Sequence, residues 1–392
     1  MIWGLVTHPY HRGGVTSWMM DFFKSGIAHR REVRLLAPSP QRPFISSSGK
    51  LPISEILEGT SGLISPPVDF RFELGSMEHR VDFYKKLILE NLPLGSILIP
   101  SDDQAVWRAC SELANLYCFI GVLHSDDDYY YQLAERYGDF VAGFVSVSER
   151  IKNKVKIPKD HQVIPCGITL NKKPSIVTKK KWISFVGRIE EKQKRVSDLP
   201  KVFQKISAQD PEWELILIGN GNDLDQLKDT FTDYGLSKKV HYLGWIPNQE
   251  VFDYLSQSQI LIQTSNYEGM SVAVMEALSA GCQVMSSAVS GVEDLDSLPN
   301  VTSVLSLFPI GNLEKALESF IQLTTKFDPS STPHQAIELA HSHFSMEACW
   351  NRYETFASNL NPQEKVEKPS RSSKLPSDIL AMMRLIKYKL TH

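Results

Sequence analysis

Two glutamates, Glu268 and Glu276, bracket seven mostly small or apolar residues in the stretch "SNYEGMSVAVMEALSAGCQV", residues 265–284. Two carboxylates at this spacing are common by accident, so their setting has to decide what they do. The preceding "ILIQTS" reads as a short buried strand and "SVAVMEALSAG" as a helix ending at Gly281. Glu268 then falls on the strand-to-helix loop, and Glu276 about one and a half turns inside the helix. A helix that follows a buried strand aims its first N–H groups and its positive dipole end into the crevice at the strand's carboxyl end. Phosphates bind in such crevices.

Cations stand in a matching place. "FVGRIEEKQKRVSDL" puts Arg188 at a strand end and Lys192, Lys194 and Arg195 in the loop that follows. Arg offers a planar fork to phosphate oxygens and Lys a point charge, a pair suited to a diphosphate leaving group. A solvated basic loop is the plainer alternative. "LIGNGND" adds a Gly219-x-Gly221 turn, and "VHYLGWIPNQEVFDYL" a strand, a loop with Trp245 and Ile246 on which a flat base could rest, and a helix capped by Asn248. Core packing is an equal claim on Trp245.

In the first half, "THPYHRGGVTSWMMDFF" carries Gly13 and Gly14 between a strand and a helix, where backbone can approach a ligand closely or simply turn. "GVLHSDDDYYYQL" ends a strand at His124 and continues into Asp126, Asp127 and Asp128. Aspartates favour a helix N-terminus. They also leave metal binding open, because Asp126-x-Asp128 sets two carboxylates at D-x-D spacing and divalent ions take such oxygen ligands.

At 392 residues the chain has room for two domains, each with its own core. Apolar runs of strand length alternate with helical patterns in both halves, which predicts α/β domains with parallel sheets. The polar, basic stretch at 171–181 reads as the linker between them. The boundaries that follow are 1–172, 173–345, a helix at 346–360 packing back on the first domain, and a tail at 361–392. A formal net charge of −3 is no balance for binding nucleic acid. Five cysteines without C-x-x-C spacing argue for a reducing compartment and no structural zinc. The opening "MIWGLVTHPY" lacks a signal pattern, so the expected location is cytoplasmic.

Taken in order, "FVGRI", "KQKRV", "LILIGNG", "VHYLGW" and above all "NYEGMSVAVMEALSAGCQVM" resemble glycosyltransferase family 4, the retaining nucleotide-sugar-dependent enzymes of the GT-B fold. The resemblance covers most of residues 1–360. It implies two Rossmann-like domains facing across a cleft and transfer of a hexose-type sugar from a nucleoside diphosphate sugar, with no metal and no cofactor. It implies that Arg188 and Lys194 bind the diphosphate, Glu276 the ribose, and Glu268 with the backbone of Gly269, Met270 and Ser271 the donor sugar. Ile246 would meet the nucleobase, Gly14 the donor phosphate, and His124 the sugar near its C6 hydroxyl. The acceptor, a glycan, a lipid-linked sugar or a small molecule, would lie near Asp126 or Asp127. The sequence departs from the family at Met270-Ser271, where Phe-Gly is usual, and at Arg195, where Gly is usual. A sugar-nucleotide epimerase and a non-catalytic sugar-binding subunit are the rival readings.

In the tail, "NPQEKVEKPSRSSKLP" reads as a connector. After it, Ile379, Met382, Met383, Ile386 and Leu390 recur at helical spacing opposite Arg384, Lys387 and Lys389. Docking on the protein competes with peripheral contact at an anionic membrane through residues 377–390.

Overall fold

The computed structural model describes residues 1–360, apart from 12, 41–50, 70–71, 73–74, 171–176 and 300. The connector and amphipathic segment read from the tail lie outside the described residues.

Two sheets divide the chain. The first runs in the order Leu63–Ile64, Val33–Leu36, Trp3–Val6, Ile97–Pro100, Cys118–Leu123, Gly143–Ser146, Asp160–Val163. The second runs Val240–Gly244, Glu214–Ile218, Lys180–Val186, Ser258–Gln263, Gln283–Ser287, Leu305–Phe308. Every pairing within them is parallel. Strands buried on both faces carry unbroken apolar runs, and Ser258–Gln263 is buried along its whole length. The last of these sheets begins at Lys180, inside the basic stretch read as linker.

Each sheet has a point where the chain stops adding strands on one side and starts on the other. In the first this falls between Trp3–Val6 and Ile97–Pro100, and in the second between Lys180–Val186 and Ser258–Gln263. Loops leaving these strands splay apart there and open a crevice for ligand. The residues 7–11, 13–14, 101–103, 187–195 and 264–271 are therefore brought to the crevices by topology alone.

The helix Met346–Asn359 lies on the first domain. Trp350 stacks on Phe22 at 3.7 Å between ring centroids, meets Trp3 edge-on at 5.3 Å, and donates its indole N–H to the Phe22 carbonyl at 2.8 Å. Fully burying such a ring is worth roughly 2–3 kcal/mol, and Arg31 pairs with Glu354 at 3.0 Å beside it. The two passages of chain between the domains run side by side, with Ile168 N–H donating to Phe344 and Met346 N–H donating back to Ile168.

Candidate active site in the interdomain cleft

The loops after the adjacent strands Lys180–Val186 and Ser258–Gln263 are fastened to each other. Asn266 N–H donates to the Gln193 carbonyl at 2.7 Å, and the Thr264 hydroxyl to the Lys194 carbonyl at 2.7 Å. Lys192 and Lys194 do not lie in an open loop as read from sequence. They belong to a one-turn helix, Glu191–Lys194, ended by Arg195 at φ 46°. This geometry delivers Lys194 Nζ to 2.6 Å from Glu268 Oε1, with both side chains nearly buried. The Ser265 hydroxyl donates to the same oxygen at 2.7 Å, and the Gln193 amide reaches the other at 3.5 Å. Beneath them the Ser271 hydroxyl donates to Gln263 at 2.5 Å, Gln263 to Ser286 at 3.0 Å, and Ser287 to the Ser265 carbonyl at 2.7 Å. Ser271 is thus turned into the domain. A buried network satisfied in this way holds its carboxylate in one position.

Arg188 joins that network only at its edge, through Gln193. Its side chain is 60% exposed, pairs with Glu190 at 3.2 Å and donates to Gln193 at 2.7 Å. Arg195 turns to Asp198 at 2.9 Å.

The first domain meets Glu268 directly. Ser125 forms an antiparallel bridge with Gly269, and Asp126 N–H donates to the Glu268 carbonyl at 3.3 Å. A Cβ on Gly269 would collide with the His124 carbonyl, so only glycine allows this approach. His124 is buried against Trp18, with ring centroids 4.8 Å apart. Burial pulls its imidazole down to about 4 against the opposing pull of Asp102, so the ring is neutral at neutral pH. The register explains Asp102. Val6 pairs with Pro100, and two residues further along each chain His8 Nε2 and Asp102 Oδ1 lie 3.6 Å apart.

Glu276 is half-buried on the helix Val272–Ser279. Burial lifts its carboxyl to about 7, and Asp21 on the first-domain helix Gly14–Ala28 adds to the rise. Asp21 is itself raised by burial, with Lys24 opposing. Gly13, at φ 133°, starts that helix, with its N–H on the Thr16 hydroxyl at 3.2 Å, and open space surrounds Gly14. Met270 and Ser271 are buried, Ile246 is half-buried, and Trp245 is 67% exposed, so packing does not explain the tryptophan. Gly219 and Gly221 pack against the backbone of Gly187 and Ile189, where a Cβ would clash. Asn248 is the first residue of its helix, behind Pro247, and makes no cap.

The three aspartates divide. Asp127 caps the helix Asp128–Tyr137 by accepting from Tyr130 N–H, and Asp128 is exposed in its first turn. The Asp126 carboxylate is enclosed by Lys154 at 2.6 Å, Arg150 at 3.9 Å and the Tyr131 hydroxyl. Gln193, Ser265, Asp21, His8 and Asp102 were not singled out by sequence. Ser265 lies within the quoted stretch and Asp102 stands two residues past the strand Ile97–Pro100, so position at a strand end was the available signal.

Residues 168–297 match the family model described as glycosyl transferases group 1. The lipopolysaccharide 1,6-galactosyltransferase of Salmonella typhimurium is 34% identical over 115 residues, which are 28% of this chain and 31% of that protein. The chain therefore aligns with about a third of that relative's length. Sucrose-phosphate synthase from Thermosynechococcus elongatus superposes with a TM-score of 0.70 at 15% identity, over 92% of this chain and 99% of the other. The Anabaena protein HepE in complex with UDP and glucose superposes with 0.69 at 15% identity, over 91% and 100%. Two parallel α/β domains closed on a cleft, in this company, make the fold GT-B. Residues 168–297, most of them in its second domain, are similar to group 1 glycosyl transferases.

Among the described residues no helix is long and apolar enough to cross a membrane.

Proposed function

We propose that this protein is a retaining glycosyltransferase that moves a hexose-type sugar from a nucleoside diphosphate sugar to a glycan, lipid-linked or small-molecule acceptor. The observation that carries the reading is the Lys194–Glu268 pair at 2.6 Å, bonded through the Glu268 carbonyl to the strand-end segment that bears His124. Such a site offers a cation for phosphate, a carboxylate for sugar hydroxyls and a neutral imidazole for a further hydroxyl, all within one cleft. The UDP and glucose held by HepE favour a UDP-hexose as donor.

Breaking the anomeric C–O bond leaves an oxocarbenium-like sugar and puts charge on the diphosphate. Lys194, Arg188 and the N-terminus of the helix Val272–Ser279 would meet that charge with groups fixed beforehand. Glu268 and the neutral His124 would orient the sugar. The acceptor hydroxyl would attack the face that the diphosphate leaves, its proton passing to a departing phosphate oxygen. Protein cations would take the part of a metal ion, so we infer no ion dependence. We assign the protein to the cytoplasmic side, with peripheral membrane contact through 377–390 as part of the same proposal.

The test is a panel of UDP-, GDP- and ADP-hexoses, read first by thermal shift and then by release of nucleoside diphosphate. A selective ligand raises apparent stability by mass action. Stabilisation by a nucleotide sugar with slow diphosphate release is the expected result. Binding without release would favour the non-catalytic subunit, and conversion of one hexose into another would favour the epimerase.

A further inference from the structure

The helix Glu149–Lys154 carries most of a second contact between the domains. Its cap residue, Ser148, shares a buried hydrogen bond with Ser290 at 2.6 Å. Glu149 N–H donates to Asp294 Oδ2 at 2.9 Å. Arg150 reaches across to the Ala288 carbonyl at 3.4 Å and pairs with Glu293, on the second-domain helix Val292–Asp296. On its own side it lies 3.9 Å from Asp126.

Asp126 is also the residue whose N–H holds the Glu268 carbonyl. A line of contacts therefore leads from the loop of Glu268, through Asp126 and Arg150, to Glu293. The two chain crossings at Ile168 and Ser345 form a separate contact, paired as a parallel bridge. A joint made of two strands of chain allows rotation, and closure then depends on what the facing surfaces offer each other.

We propose that Arg150 is an electrostatic clamp that keeps the cleft closed, with Glu293 as its anchor on the second domain and Asp126 as its anchor on the first. The clamp stands on charge. Arg150 and Glu293 are each about one-third exposed, at 32% and 39%, so salt reaches the pair and weakens it. The aspartate is almost covered, at 5%, so the guanidinium stays tethered to the first domain when the second lets go. Opening would carry the Asp126 N–H away from the Glu268 carbonyl and break the site apart. The inference does not rest on the proposed reaction.

Small-angle scattering of the full chain tests it without a ligand, comparing the parent with Arg150→Gln, Glu293→Gln and the charge-conserving Arg150→Lys. A compact chain of this length has a radius of gyration of roughly 21 Å. The parent is expected to expand by about 1 Å as salt rises from about 0.05 M to about 0.5 M, across which the Debye length falls severalfold. Each neutralised variant is expected to be expanded already at low salt and to change little further, and Arg150→Lys to keep much of the compaction at low salt. Far-ultraviolet circular dichroism confirms folding, and Glu293→Gln, at a partly exposed site, keeps the test valid should Arg150→Gln misfold. Equal radii for parent and neutralised variants at both salts would overturn the clamp. Equal expansion in all three variants, with no compaction kept by Arg150→Lys, would overturn it as well, because packing and not charge would then hold the cleft.

Discussion

Lys194 and Glu268 close an ion pair at 2.6 Å between loops that leave adjacent strands, so the proposed phosphate cation and the proposed sugar carboxylate satisfy each other before any donor arrives. Removing one partner of a nearly buried pair strands the other charge. Lys194→Ala should therefore cost on the order of 3 kcal/mol in urea unfolding, with Glu268 left to Ser265 and Gln193. The double variant Lys194→Ala/Glu268→Gln should regain a good part of that loss. Turnover should fall tenfold or more in both, since a charge-assisted phosphate contact contributes roughly 1.5–3 kcal/mol. A single variant as stable as the parent would show that the pair is not buried in solution.

Arg188 separates function from stability. Its side chain is 60% exposed, and its pair with Glu190 is of the surface kind that contributes about 0–1 kcal/mol. Arg188→Ala should leave the unfolding midpoint almost unchanged while lowering donor turnover by an order of magnitude. Turnover near that of the parent would remove Arg188 from the diphosphate site.

The alternation of strand and helix, the two Rossmann-like domains, the loop position of Glu268 and the strand-end position of His124 were legible because they are local properties of the chain. Patterns of burial and turn residues fix them. What the sequence hid was the partner of each charge. Nothing near Asp126 in the chain announces Lys154 or Arg150, which arrive from the far end of the next strand and helix. Asp21 meets Glu276 only because two domains close, and the turn of Arg195 toward Asp198 follows from a left-handed backbone that propensity does not forecast for arginine. The resemblance placed Glu276 at a ribose but could not say that its carboxyl is perturbed.

That perturbation has a pH signature. Burial first, and Asp21 second, raise Glu276 from the usual 4.5 to about 7. Between these values the folded chain holds a proton that the unfolded chain has released. Its stability contribution therefore falls as pH rises through that window and levels off above the folded value. Glu276→Gln removes the effect, so its stability relative to the parent should improve between about pH 5 and pH 8 by on the order of 1–3 kcal/mol. Asp21→Asn should recover a smaller share, because burial is the larger cause. Denaturant unfolding across that range measures both, and parallel pH profiles for parent and Glu276→Gln would refute the assignment.

Gly269 tests whether closure is needed for the chemistry. The Cβ of an alanine there would run into the His124 carbonyl of the other domain, and backbone cannot move aside as a flexible side chain does. Gly291 packs in turn against the Gly269 carbonyl, which blocks retreat in that direction. The remaining relief is for the domains to part, which would draw Ser125 and Asp126 off the Glu268 loop. Gly269→Ala should consequently keep its fold and most of its affinity for free UDP, whose proposed contacts through Lys194, Arg188 and Glu276 lie in the second domain and only that of Gly14 in the first. Sugar transfer should drop at least tenfold, as an ångström-scale misplacement of reacting groups costs about 100-fold. Unlike expansion caused by loss of the Arg150 pair, the defect should not depend on salt, because it is steric. Isothermal titration with UDP and turnover at two salt concentrations decide the matter. A Gly269→Ala protein with full turnover would mean that the reaction proceeds without the contact between Gly269 and His124.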